Sequence, residues 1–521
     1  MVPVIVRDRG GKAIGTLQQQ DFSLFDKGKQ QVISKFSVEK AGGRTAIELT
    51  APPEEEGTNK PPVQATAVIA NRFVAYLFDD INSNLTDLAL AREAARKQIA
   101  ESLQPTDRIA IFSVSGRTTL DFTDDRRAIE QTLLQLQPRI RTRSVQDCPD
   151  ISDYMAFLIS NGDNAALGTA IQDAMVCQSI PANMAASAAA IARAKASEVT
   201  SQLDYDTRLT LSGLKATIRR IAVMPGERVV VLVSSGFVLL LEHRSEETEL
   251  VDTAIKSNVT INSLDARGLE AMPGFDVSRG PVSVQTAVSK SRYAYQDAQA
   301  KADVLGELAE GTGGTWFHNR NDLAQGFRMI AAAPEYTYVL GFAPQNLRYD
   351  GSYHQLKVSL KTSSGLTLQA RRGYYAPKKQ LDAAEQAKEE VREALFSREE
   401  LKAIPVGLQT QFFKPSDISA KLSVLAHVDL RAIQFRKTDG RNRNSLTVVS
   451  GIFDRNGILI KAVEKNIDMF LKDETFAAHM AAGLTIKTSF DVTPGNYVIR
   501  LVVRDGEGQM MTAQNGVVQI P

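Results

Sequence analysis

Arg72-Phe-Val-Ala-Tyr-Leu-Phe-Asp-Asp-Ile-Asn-Ser-Asn-Leu85 is the stretch from which the rest of the chain can be read. The apolar run 73–78 stops abruptly at Asp79, Asp80, Asn82, Ser83 and Asn84. Leu88, Ala91, Ala95, Ile99 and Leu103 then recur at the spacing of one buried helical face. The order is a strand buried on both faces, a loop and a helix, as in a parallel α/β sheet. Ligands of open α/β sheets sit beyond the carboxyl ends of the strands. Hard oxygen donors gathered there suit a divalent cation such as Mg²⁺ or Ca²⁺. The same residue types are also ordinary turn and helix-capping residues, with Thr86 or Asp87 as a cap for the helix.

The alternation continues on both sides of this segment. Strands are expected at 108–114, 118–122, 228–233, 259–264, 315–317 and 336–342. Helices are expected at 86–103, 126–136, 209–223, 245–256, 298–310 and 322–332. Strands alternating with helices over 71–377 predict a parallel-rich sheet covered on both faces. Residues 140–205 break the pattern as an insertion, with an alanine-rich helical segment at 182–196. Residues 1–40 read as an N-terminal β unit too small to bury a core alone, so it must pack on something else. Residues 41–70, with Ala51-Pro-Pro-Glu-Glu-Glu-Gly and Lys60-Pro-Pro, read as a linker. The alternating runs 353–360 and 366–372 read as a hairpin around Ser363-Ser-Gly365. Residues 378–402 form a charged, solvated connecting helix. Short strands separated by Asp454-Arg-Asn-Gly457, Thr493-Pro-Gly495 and Asp505-Gly506 make 403–521 a β-sandwich.

Composition bounds the function. The chain has 521 residues, 43% hydrophobic and 23% charged, with a net charge of +1. That size calls for several domains. The charge balance argues against nucleic acid or an anionic membrane as the principal partner. No apolar run approaches the roughly 18 residues that span a bilayer. The amino terminus opens as a strand, Val2-Pro-Val-Ile-Val6. It is read as an exported protein numbered after removal of its leader, the alternative being a cytosolic one. Cys148 and Cys177 are the only cysteines. In an oxidising compartment they form one bridge closing residues 149–176, worth roughly 3 kcal/mol in loop entropy. Otherwise they are two unrelated thiols.

Several segments resemble, in order, the von Willebrand factor type A domain in its bacterial A-related form. They are Val6-Arg-Asp-Arg-Gly-Gly-Lys with Asp21-Phe-Ser-Leu-Phe-Asp-Lys-Gly, Ile221-Ala-Val-Met-Pro-Gly-Glu-Arg-Val-Val-Val-Leu-Val-Ser-Ser-Gly-Phe237, Gly311-Thr-Gly-Gly-Thr-Trp316, Arg371-Arg-Gly-Tyr-Tyr-Ala376 and Pro494-Gly-Asn-Tyr-Val-Ile-Arg-Leu-Val-Val-Arg-Asp505. The resemblance implies a Rossmann-like central domain, an immunoglobulin-like C-terminal sandwich and a metal-ion-dependent adhesion site. The first loop of that site would supply Asp80, Asn82 and Asn84, with Asp79 and Ser83 as the other register. Thr210 fits the second loop, with Thr207 as fallback. The third loop departs from the family: Ser234-Ser235-Gly236 stands where an acid is expected, so Ser235 would be a weak ligand. A protein partner would complete the coordination with an Asp or Glu side chain.

Enzyme motifs are missing. The histidines His243, His318, His354, His427 and His479 form no H-E-x-x-H pair. There is no G-x-S-x-G elbow and no phosphate loop. Gly311-Thr-Gly-Gly314 precedes a strand, where a turn explains it. The expected function is therefore non-enzymatic: adhesion-type recognition of a protein through the metal site, or a metal-free scaffold for assembly in the periplasm or at the cell surface.

Overall fold

The computed structural model describes residues 2–8, 12–40, 70, 72–139, 147–268, 284–331, 334–344, 352–361, 365–376, 382–397 and 400–521. The expected linker 41–70 (apart from Ala70), the turn residues 362–364 and the opening residues 140–146 of the insertion lie outside them. The fold is mixed α/β, with one mostly parallel six-stranded sheet and several antiparallel sheets.

The first forty residues contribute β1 (Val2–Arg7), β2 (Phe22–Asp26), β3 (Lys29–Gln31) and β4 (Lys35–Lys40). The central unit comes next: β5 (Arg72–Phe78), α1 (Leu85–Ser102), β6 (Asp107–Ser113), β7 (Thr119–Thr123), α2 (Arg126–Leu134), α3 (Asp153–Ser160), α4 (Asn164–Cys177), α5 (Ala185–Ala222), β8 (Glu227–Ser234), α6 (Arg244–Lys256), β9 (Val259–Asp265), α7 (Val284–Thr312), β10 (Trp316–Phe317) and α8 (Leu323–Ala331). Its strand order is β10-β9-β8-β5-β6-β7, all parallel except the β6/β7 pair. Alternation along β5 feeds two cores. Phe73, Ala75 and Leu77 face Leu214, Ile218 and Leu305, while Val74, Tyr76 and Phe78 face Leu88, Ile99 and Phe327. That double burial is why the sequence reads as an unbroken apolar run.

Two helices are longer than their periodicity suggested. The separate helices expected at 182–196 and 209–223 are parts of α5, 38 residues long. The helix expected at 298–310 begins at Val284. The added turns pack with the insertion. There α3, α4, the first half of α5 and Tyr293 of α7 share a small core of Met155, Ala166, Ala170, Ala192, Ala196 and Val199. Cys148 and Cys177 are joined in a disulfide that closes its edge.

Next come β11 (Tyr336–Gly341), β12 (Tyr353–Leu360), β13 (Thr367–Ala370) and β14 (Gly373–Tyr375). The strand expected at 336–342 does not join the central sheet. With its neighbours it pairs with the first forty residues, in the orders β13-β1-β11-β4 and β14-β12-β2-β3. Nor do the runs 353–360 and 366–372 form a hairpin, since β12 pairs with β2 and β14 while β13 pairs with β1. The two sheets share Val2, Val4, Val6, Phe22, Leu24, Tyr338, Leu340 and Leu356 as one core. The α/β unit is thus inserted between the halves of a small sandwich. Alternation marks a strand but not its partner, which here lies about three hundred residues away, as Val4 opposite Tyr338 illustrates.

Helix α9 (Ala383–Phe396) precedes a second sandwich of β15 (Leu401–Lys402), β16 (Val406–Ser416), β17 (Ser419–Val428), β18 (Arg436–Thr438), β19 (Arg441–Asp454), β20 (Leu459–Leu471), α10 (Asp473–Ala482), β21 (Leu484–Val492), β22 (Gly495–Asp505) and β23 (Met511–Ile520). Its two sheets enclose Leu422, Val424, Val448, Ile452, Phe490, Ile499 and Leu501. Helix α9 is not simply solvated. Val391, Ala394 and Leu395 pack on Val449, Phe453 and Val502, and the buried Arg500 donates to the Ala394 carbonyl at 2.8 and 3.0 Å.

The amino end of the central sheet carries charge and meets both sandwiches. Arg72 lies 3.6 Å from Asp107 and 3.7 Å from Glu227, across the first residues of three adjacent strands. Arg108 donates to the Arg455 carbonyl at 2.7 Å, and Arg455 pairs with Asp124 at 2.7 Å. Gly457, at φ +80°, lets the β19–β20 turn lie against Phe73, where a side-chain carbon would collide with the ring. Arg228 reaches the carbonyls of Met224, Ser257 and Phe396. Beside it a cleft of about 760 Å³ opens between the central unit, the first sandwich and α9.

Candidate functional site

The carboxyl ends of β5 and β8 lie next to each other, and connections leave them in opposite directions along the sheet. Such a switch point is where ligands of α/β sheets bind. Asp79 prolongs β5 by one bond, its N–H donating to the Val233 carbonyl at 2.8 Å. The chain then turns over the Asp79 carboxylate. One oxygen accepts from the backbone N–H groups of Ile81 at 3.1 Å and Asn82 at 2.9 Å. The other accepts from Asn82 Nδ2 at 2.9 Å and from Ser234 Oγ at 2.6 Å. Asn82 Nδ2 also donates to Thr210 Oγ1 at 2.9 Å, and Thr210 donates to the Asp206 carbonyl at 2.9 Å. The first and third loops therefore converge through Asp79, Asn82 and Ser234, but Thr210 meets them from within helix α5 and not from the second loop expected for it.

The other expected residues point elsewhere. Asp80 accepts from the backbone N–H of Ser115 at 2.9 Å and from its hydroxyl, which ties the first loop to the β6–β7 turn. Asn84 is the N-cap of α1, accepting from the Asp87 N–H at 2.8 Å, so neither Thr86 nor Asp87 fills that role. Ser235 donates its hydroxyl to Asp87 at 2.8 Å, and its N–H donates to Ser83 Oγ at 3.2 Å. Thr207 donates to the Val238 carbonyl at 3.3 Å. Asp79 with Ser83, not Asp80 with Asn84, faces the third loop. The first residue after the strand continues its ladder, so its side chain is aimed along the sheet rim, and the next one is turned away. Ser234 and Asp87 were not among the expected ligands. A serine directly after an apolar strand end was the available sign for the first, and nothing in the sequence marked the second.

Burial dominates the electrostatics. Asp79, Thr210 and Ser234 have no exposed surface at all. Desolvation pushes the Asp79 carboxyl up, opposed by the hydrogen bonds from Ser234, Asn82 and Ile81. Asp87 is also pushed up by burial, opposed by Ser235 and Asn84. The cover comes from the chain itself. Gly236, at φ +78°, turns the third loop beneath α7, where a side-chain carbon would meet the Lys301 carbonyl. Phe237, Val238, Leu239 and Leu240 come next, all buried. Val238 and Leu240 pack with Leu203 of α5 and with Tyr154 and Phe157 of α3. Lys301 ties α7 to α3 through Asp153 at 2.8 Å and pairs with Asp297 of its own helix at 2.7 Å.

As arranged, the cluster offers a dication one carboxylate whose two oxygens each already hold two protein donors. Asn82 turns its NH₂ group, a donor, toward both Asp79 and Thr210. Ca²⁺ takes six to eight oxygens and Mg²⁺ about six, usually with water among them. Donors of this kind do not match either demand.

No family model and no curated protein matches the chain. Among solved structures, similar chains include an aerotolerance-related membrane protein from Bacteroides fragilis (13% identity, TM-score 0.25, covering 50% of this chain and 97% of that one). Another is the BatB protein of Bacteroides thetaiotaomicron (12%, 0.23, covering 49% and 95%). A third is a point mutant of the PilB minor pilin of Streptococcus sanguinis (11%, 0.20, covering 60% and 78%). At such TM-scores these likenesses carry no argument about fold or function. Among the described residues no helix is long and apolar enough to cross a membrane.

Proposed function

We propose that the protein is a non-enzymatic, exported partner-binding scaffold on a type A-like α/β unit, in which the carboxyl-end rim works without a metal. The observation that carries this reading is the Asp79 carboxylate, fully buried and bonded on both oxygens to donors of the protein itself. A metal-dependent adhesion site must leave one coordination position open to a carboxylate from outside. Here hydroxyl and amide groups of the protein take up the oxygens that would face it. The rim is then a joint locking the first and third loops to helix α5. Export is supported by the disulfide between Cys148 and Cys177, because such bonds persist in oxidising compartments. Recognition falls to surfaces outside the rim. The disulfide-closed insertion comes first, because it has its own core and leaves Val176, Met184 and Tyr205 37–50% exposed.

The metal-dependent reading keeps one observation in its favour, the direct contact of Asn82 with Thr210 beside Asp79. Photo-crosslinking of the full chain in its native cell separates the two. A photoreactive residue is placed at Val176, Met184 or Tyr205, and separately at Asn82. Adducts from the insertion positions that persist with a chelator present are the expected outcome. Adducts confined to position 82 and abolished by the chelator would overturn the proposal in favour of the metal.

A further inference from the structure

His243 closes the short turn Leu241–His243 just beyond the lid, its N–H donating to the Leu240 carbonyl at 3.0 Å. Its ring is 3% exposed and lies between carboxylates. Nε2 is 2.7 Å from Asp204 Oδ1 on α5, and Nδ1 is 3.3 Å from Glu246 Oε1 on α6. Glu242, the preceding residue, is exposed and brings a third carboxylate oxygen to the same spot. One ligand atom each from Asp204, Glu242 and His243 lies within 4.8 Å of the other two.

A neutral imidazole has one N–H and one lone pair. Nε2 is bonded to Asp204, while Nδ1, 3.3 Å from Glu246, is buried without a hydrogen-bond partner among the described residues. A cation at Nε2 would leave the single ring proton on Nδ1, facing Glu246. Metal-ligating histidines usually give their other N–H to a carboxylate, which fixes the tautomer and strengthens the ligand nitrogen. Glu246, 3.3 Å from Nδ1 and half exposed, stands where a small turn of its carboxylate would fill that outer position. Nε2, Asp204 and Glu242 then present one nitrogen and two oxygens, each a zinc-ligand type, with a further position left for water. Tetrahedral zinc bonds of about 2.0–2.2 Å set ligand atoms about 3.3–3.6 Å apart. His243 and Asp204, at 2.7 Å, would part to admit the ion, and Glu242 would close on it. Glu242 has the freedom to do so. Arg208, whose Nε donates to Asp204 Oδ1 at 3.2 Å, is 64% exposed and can swing into solvent.

We infer that Asp204, Glu242 and His243, with Glu246 as outer partner, form a Zn²⁺ site on the flank of the lid. Asp204 precedes Thr210 by six residues, about 9 Å along α5, so the site is separate from the rim cluster. Zinc would bridge α5 to the loop that roofs the rim, and this inference stands whether or not the rim binds a metal of its own.

Calorimetry and thermal melting of the metal-stripped full chain with ZnCl₂ test it. One ion per chain, bound saturably and raising the melting temperature, is expected. Glu246→Gln should weaken binding by about 10–100-fold. His243→Gln should abolish it. The exposed Glu242→Gln guards against misfolding as an explanation and should weaken zinc while leaving the metal-free melt unchanged. Asp79→Asn should leave zinc affinity as it is. Absence of saturable binding, or affinity unaltered in both His243→Gln and Glu242→Gln, would overturn the site.

Discussion

The two ends of the central sheet solve opposite problems. At the carboxyl end one carboxylate, Asp79, is fully buried and surrounded by neutral donors, beside a third loop that the insertion covers. At the amino end Arg72, Arg108 and Arg228 stand at the first or second positions of adjacent strands, beside Asp107 and Glu227, and hold the second sandwich and its helix α9. A parallel sheet places its side chains alike at both ends, so sheet geometry does not set the difference. The residues flanking each strand set it. Those after β5 and β8 are short, polar and able to satisfy one another. Those at the strand starts are long and charged, and reach carbonyls in neighbouring units. Carboxyl-end polarity alone is therefore poor evidence for a ligand. The decisive question is whether the polar atoms are already paired.

If this contrast is right, the amino end should be the more sensitive to loss of a single side chain. Arg72→Met removes the cation between Asp107 and Glu227 and should cost about 3–5 kcal/mol in urea unfolding. A cost below that of any rim variant would break the comparison. Replacing both cysteines by serine reopens the insertion and should cost about 3 kcal/mol. Hydrogen exchange should place the loss in α3 and α4 and spare both sandwiches. Equal loss throughout would mean that the insertion is not a separate cover but part of the main cooperative unit.

Asp79→Ala leaves Ser234 and the Ile81 and Asn82 amides without their common acceptor. It should cost about 1–3 kcal/mol at neutral pH. The pH dependence has a definite sign. Burial raises the Asp79 carboxyl in the folded state, so that state keeps a proton which the unfolded chain has released. This contribution to stability is present below the unfolded value and lost as pH rises through the raised one. Asp79→Ala should flatten that part of the stability curve. A bound dication would act in the other direction, by holding Asp79 ionised.

Much of this architecture was legible in the sequence. Apolar runs and their turn residues located β5, β6, β8 and β9 to within about two residues, since strands buried on both faces leave an unambiguous pattern. The meeting of Asn82 with Thr210 came from the type A resemblance alone, which put Thr210 on a loop where the structure has helix α5. Three things were not legible. The pairing of β1 with β11 and β13 depends on contacts that no local pattern encodes. The choice of Asp79 over Asp80 turns on which of two neighbouring carboxylates continues the strand's ladder. The cluster at His243 needs Asp204, which sits far upstream on a helix whose continuity the sequence did not reveal.

The central claim is that the carboxyl-end rim is complete without a cation. Calorimetric titration of the full chain with Mg²⁺ and with Ca²⁺ tests it most directly, with Asp79→Asn and His243→Gln titrated alongside. The account predicts no saturable heat for either ion that depends on Asp79. Saturable binding that vanishes in Asp79→Asn and survives in His243→Gln would contradict it.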